Sequence, residues 1–160
     1  MVTAPRIPSN VTNMNGAFMY CMSLTEAPII PPKTVYLANA FQNCKKLTEA
    51  PEIPDSVKYI DSIFANCTKL TTVTRIPASV SGTIGYAFHN CTSLTGTITI
   101  DVPDSILSTI NFHYAAFTGV DFEAQNLTLN GSASNKVIDK LGSYGTNYCT
   151  TCNGKCQHNH

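Results

Sequence analysis

Apolar positions return along this chain in a fixed frame. Phenylalanines stand at Phe18, Phe41, Phe64 and Phe88, cysteines three residues later at Cys21, Cys44, Cys67 and Cys91, and leucines three further on at Leu24, Leu47, Leu70 and Leu94. The steps between successive copies are 23, 23 and 24 residues. A further apolar position reads Met14, Leu37, Ile60 and Ile84, and an Ile-Pro pair marks each boundary at Ile7-Pro8, Ile30-Pro31, Ile53-Pro54 and Ile76-Pro77. Several independent positions share one period, which is the mark of a repeat architecture. The extra residue of the fourth copy falls between Pro77 and Ile84, near Gly82.

Each unit divides in two. In "DSVKYIDSIFANCTKL", Val57, Ile60, Phe64, Cys67 and Leu70 recur at steps of three and four, which predicts a short amphipathic helix or helical turn capped by Asp55 or Ser56. In "LTEAPEIP", the apolar residues are Leu47, Ala50 and Ile53, and the prolines cut the stretch short, which predicts a brief strand. One strand and one helical turn in about 23 residues is the pattern of a leucine-rich repeat, whose units bury their apolar sides only by stacking. The predicted fold is therefore an α/β repeat, a short solenoid of about five coils with a C-terminal cap.

The expected units lie near 7–29, 30–52, 53–75 and 76–99, with a degenerate fifth at 100–123. In that fifth, "VPDSILSTINFHYAAF" ends at Phe117 and Val120 takes the cysteine's place. A cap is expected over 124–145: "FEAQNLTLNG" reads as strand and turn, and "SNKVIDKLGSYG" as a helix opened by Ser134 or Asn135 and closed by Gly142. Residues 146–160 form a Cys/His-rich tail.

The recurring cysteine has three readings: packed thiol, disulfide or metal ligand. Equivalent side chains of stacked coils sit roughly 5 Å apart. A column of reduced, inward thiols behaving as small hydrophobes is the expectation; pairwise disulfides are conceivable at that spacing but demand specific geometry.

"VTNMNGAFMYCMSLTEAP", "LANAFQNCKKLTEAP" and "IGYAFHNCTSLTG" resemble the AFxxCxxL units of BspA-like leucine-rich-repeat surface proteins over about residues 7 to 100. The resemblance implies a solenoid displayed on bacterial cells, or in phage fibre and tail proteins, that binds proteins or host surfaces and carries no catalytic residues to transfer.

If Leu47, Ala50 and Ile53 point inward, Thr48, Glu49 and Glu52 point out, and so do their equivalents Thr25, Glu26 and Ile29, then Thr71, Thr72 and Arg75, then Thr95, Gly96 and Thr99. Thr25, Glu26, Thr48, Glu49, Glu52, Thr72, Arg75 and Thr99 are the candidate binding residues. The face is threonine-rich and suits an extended, weakly charged partner, a protein or a cell-surface glycan.

The tail "YCTTCNGKCQHNH" has C-x2-C-x3-C spacing. Cys149, Cys152, Cys156 and His158 would suit tetrahedral zinc. A disulfide among the cysteines or a simply packed tail remains open, and the last His-Asn-His resembles an iron-chelating pattern of trimeric phage fibre tips. No cofactor is required elsewhere.

Among 160 residues, ten basic and ten acidic side chains cancel, so no basic stripe invites nucleic acid. No apolar run reaches the roughly 20 residues of a membrane helix, and the opening "MVTAPRIPSN" lacks the form of a signal peptide. His89 and His113 are expected to be solvated surface residues, and no nucleophile, base or phosphate loop is recognisable. Sequons at Asn10, Asn66, Asn90 and Asn126 read as by-products of the repeat. The expected role is a non-catalytic binding or adhesion module, extracellular on a bacterial surface or on a virion. The alternative is a structural phage virion component assembling through its tail, as a trimer if it forms a fibre.

Overall fold

The computed structural model describes residues 5–103, 114–122 and 124–131. Phe41, Phe64, Phe88 and Phe117 are wholly buried, and successive rings stack along one axis. Centroid separations run 5.5 Å for Phe18–Phe41, 5.7 Å for Phe41–Phe64, 6.0 Å for Phe64–Phe88 and 5.0 Å for Phe88–Phe117. These are offset-stacked geometries, each worth about 0.5–1.5 kcal/mol beyond the area it buries. Equivalent positions therefore stand in vertical registry, as the period demands. Met14, Leu37, Ile60 and Ile84 form a second buried column, and Leu24, Leu47, Leu70 and Leu94 a third.

The strand half is shorter than expected in the early coils. Strand β1 is Arg75–Ile76, β2 is Gly96–Ile100 and β3 is Leu127–Asn130. They form a parallel sheet in the order β1-β2-β3, with Arg75 opposite Thr99 and Gly96 opposite Leu127. In the earlier coils this side is reduced to single pairings such as Glu49 with Thr72. Proline explains the difference: it brings no N–H to a ladder. Pro28 and Pro31, then Pro51 and Pro54, interrupt the first two units, whereas the fourth runs from Gly96 to Ile100 without one.

The helical expectation is not met. Among the described residues there is no α-helix, only a 3-10 helix at Tyr114–Phe117. Two positions per coil take left-handed backbone: Gly16, Asn39, Ser62 and Tyr86, then Tyr20, Asn43, Asn66 and Asn90, with φ between 53° and 63°. A left-handed residue every fourth position stops an α ladder. Instead the N–H groups alternate. Met14, Gly16, Phe18 and Tyr20 donate to the next coil at Tyr36, Ala38, Ala40 and Gln42, while Ala17, Met19 and Cys21 donate three residues back within their own coil. The apolar stripe survives because each three-residue turn returns a side chain to the interior.

The inserted residue is Thr83. Val35 and Tyr36 N–H both donate to the Thr12 carbonyl, Lys58 and Tyr59 to Val35, and Ser81 and Gly82 to Lys58. The step is thus still 23 at Gly82, yet Ile84 occupies the column of Ile60. Gly82 stands beneath the Tyr59 ring, where an added Cβ would overlap it.

Past the fourth coil, Phe88 and Asn90 N–H donate to Ala116 and Thr118, and Val120 is buried in the cysteine frame. The Gln125 side-chain amide donates to the carbonyls of Cys91 (3.2 Å) and Leu94 (2.8 Å), and β3 follows where strand and turn were expected. The helix expected near 134–142 lies outside the described residues.

Candidate functional site

The strand side of the early coils carries a concave surface. Glu49 pairs with Thr72, and Arg75 with Thr99, so the outward columns align as the repeat frame requires. Thr25, Glu26, Thr48 and Glu49 come together with Ala27, Ala50 and Pro51 around a groove of about 380 Å3. A larger groove of about 590 Å3 adjoins it, sharing Glu26 and Ala27 and continuing over Pro28, Ile29, Pro31 and Arg6. Glu26, Thr48, Glu49, Glu52 and Thr72 are exposed. No described cation lies within ion-pair distance of Glu26 or Glu49.

Three predicted residues behave otherwise. Thr25 is half-buried, and its hydroxyl oxygen is buried with no hydrogen-bond partner. Arg75 is not free to meet a partner. It forms ion pairs with Asp55 and, at 3.2 Å through Nε, with Asp101, so it clamps neighbouring coils. Thr99, opposite it, is half-buried. Threonines of this face also staple coils: the Thr71 hydroxyl donates to the Thr48 carbonyl at 2.8 Å, and that of Thr95 to Thr71 at 3.4 Å.

The buried cysteines of the described coils hold their protons. The thiols of Cys44, Cys67 and Cys91 each donate, at 3.1 Å, to the carbonyl of the phenylalanine one coil earlier: Phe18, Phe41 and Phe64. Burial pushes the Cys44 and Cys91 thiols up to about 12, and Cys67 further up. They are packed thiols in the sense the sequence suggested. His89 is half-buried rather than solvated. Its ring meets Tyr86 edge-on at 5.7 Å, and Nε2 lies 3.1 Å from Asn90 Nδ2, while Nδ1 is buried without a partner. His113, Cys149, Cys152, Cys156 and His158 lie outside the described residues. Among the described residues no cluster of three metal-ligating side chains occurs, and no helix is long and apolar enough to cross a membrane.

Residues 2–123 match the BspA type leucine-rich repeat region in six copies. The chain belongs to this family. No curated protein and no solved structure matches. Within this BspA-type solenoid, two surface features escaped the frame-by-frame reading. Tyr36 and Tyr59 stack on the outside at 5.0 Å. The first coil exposes Met19, Tyr20 and Met22, where the second carries Gln42, Asn43 and Lys45, while Ile29 is exposed at the outward position the frame assigns it. The signal was present in the alignment of units, as large apolar residues at positions that in the later coils are polar, Ala65 excepted.

Proposed function

We propose that this BspA-type solenoid is a non-catalytic binding module, displayed on a bacterial surface or a virion, that recognises a protein or glycan along its strand side. The supporting observation is the groove in which Thr25-Glu26 and Thr48-Glu49 of adjacent coils meet, with both carboxylates unpaired by any described cation. Open, extended and acidic at its rim, it suits a chain-like ligand rich in N–H or O–H donors better than a small molecule, which needs a deeper enclosure. Repeat solenoids use such continuous faces for binding.

The test is an array of extended peptides and glycans probed with purified protein and with the Glu26→Gln/Glu49→Gln variant. Binding that falls at least about tenfold (roughly 1.4 kcal/mol) in the variant supports the reading. Binding that is unchanged rejects this face. Mass in solution separates the two settings: a monomer favours a single-chain adhesion module, and a stable trimer a fibre component.

A further inference from the structure

The sequence holds three asparagine–glycine pairs: Asn15-Gly16, Asn130-Gly131 and Asn153-Gly154. The last lies outside the described residues. Such a pair carries a latent reaction, because the glycine nitrogen can attack the side-chain carboxamide and no Cβ on glycine obstructs it. Asparagine is a thermolabile residue for this reason. The fold treats the two described pairs differently.

Asn15 is tied down between coils. Its Oδ1 accepts the Ala38 N–H at 2.8 Å, and the Gly16 N–H donates to the Ala38 carbonyl at 2.9 Å. Attack there must first open both bonds. Asn130 ends β3, is exposed and lies opposite Thr99. Its own Oδ1 accepts the Gly131 N–H at 2.8 Å. A C=O bond is about 1.23 Å long, so this nitrogen stands no more than about 4 Å from the carbon it would attack. That is close to a near-attack separation of roughly 3–3.5 Å. Gly131 is fixed there by packing: a Cβ would overlap the Ile100 carbonyl, and φ is 111°. The approach of the chain to β2 thus demands glycine directly after an exposed asparagine.

We propose that Asn130-Gly131 is a self-modification site, where the end of β3 deamidates with water as the only co-reactant. Base removes the Gly131 amide proton. The nitrogen then bonds to Asn130 Cγ, the Cγ–Nδ2 bond breaks, and Nδ2 leaves as ammonia with a proton taken from water. Water opens the resulting succinimide at either carbonyl, giving aspartate or isoaspartate, and nothing is oxidised or reduced. Each product puts a negative charge on the exposed end of β3. Isoaspartate also routes the main chain through the former side-chain carbon, one methylene longer. That lifts Gly131 from its seat on Ile100 and ends the pairing of residue 130 with Thr99. The last strand of the described sheet therefore loosens with the age of the molecule, independently of any ligand in the strand-side groove.

The test holds the full chain in warm, mildly alkaline buffer and samples it over days by peptide mass mapping that separates aspartate from isoaspartate. Native Asn130 should convert at least about tenfold faster than Asn15, whose two hydrogen bonds must open first. In denaturant the two rates should converge, because the fold is what separates them. Amide exchange at Leu127 and Leu129 should quicken as isoaspartate accumulates. Asn130→Gln should abolish conversion at this position and remove that drift. Equal native rates at Asn15 and Asn130, or an Asn130 that converts only once the chain is unfolded, would overturn the proposal. So would isoaspartate at 130 with unchanged exchange in β3, or the same drift in Asn130→Gln.

Discussion

The Cys67 thiol donates to the Phe41 carbonyl, 3.1 Å away on the preceding coil. That bond needs the proton, and burial holds it on the sulfur. The cysteine column is therefore a set of donors between coils and not a reserve of nucleophiles.

Thiol chemistry should follow the column. Cys21, half-buried, should alkylate well before Cys44, Cys67 and Cys91 in native protein, read by peptide mass mapping. Raised folded pKa values also set a pH window. An unfolded thiol near 9.0 releases its proton first, while the buried ones hold theirs to about 12. Stability from these groups is thus complete below about pH 9 and lost as pH rises towards 12. Melting temperature should fall across that range, and less steeply in Cys67→Ala, which should itself be about 1–3 kcal/mol less stable at neutral pH.

Left-handed backbone should rank substitutions at Asn43. Asn43→Gly should be nearly neutral and Asn43→Ala should cost about 1 kcal/mol in denaturant unfolding, because φ is 62° there. The reverse holds at Tyr20, where Tyr20→Asn should stabilise by a few tenths to about 1 kcal/mol.

Gly82 and Tyr59 should be energetically coupled. Gly82→Ala forces a Cβ into the Tyr59 ring and should cost about 1–3 kcal/mol. In Tyr59→Ala the same change should cost much less, so a double-mutant cycle should give a coupling of at least about 1 kcal/mol.

Gln125 should hold β3 onto the fourth coil. Gln125→Leu removes both amide donors to Cys91 and Leu94 and should cost about 1–2 kcal/mol. Amide exchange should quicken at Leu127 and Leu129 before it quickens at Phe41 or Phe64.

The stacking of Phe18 through Phe88 was legible because a period in sequence becomes a column in space, whatever the local backbone. The helical turn was misjudged because steps of three and four arise from an α-helix and equally from three-residue turns separated by left-handed residues. The distinguishing sign was asparagine at 43, 66 and 90, before each cysteine. On the candidate face, Thr48 and Glu49 are exposed, as the inward steps of three from Leu47 to Ala50 and Ile53 imply. Arg75 was misread, since Asp55 and Asp101 lie 20 and 26 residues away in sequence and meet it only through coil register. Thr25 was misread for a related reason: burial of its hydroxyl depends on neighbours that alternation within one unit does not specify.

The alternating backbone ladder ties each coil only to those directly before and after it. Pulled from its two termini, such a chain should unravel from an end, one coil at a time, and not snap as a whole. Each released unit would lengthen it by roughly 70–80 Å, the reach of some 23 extended residues less the thickness of one coil. A molecule anchored at one end and gripped at the other would thus yield in graded steps under load, as a series of sacrificial links does.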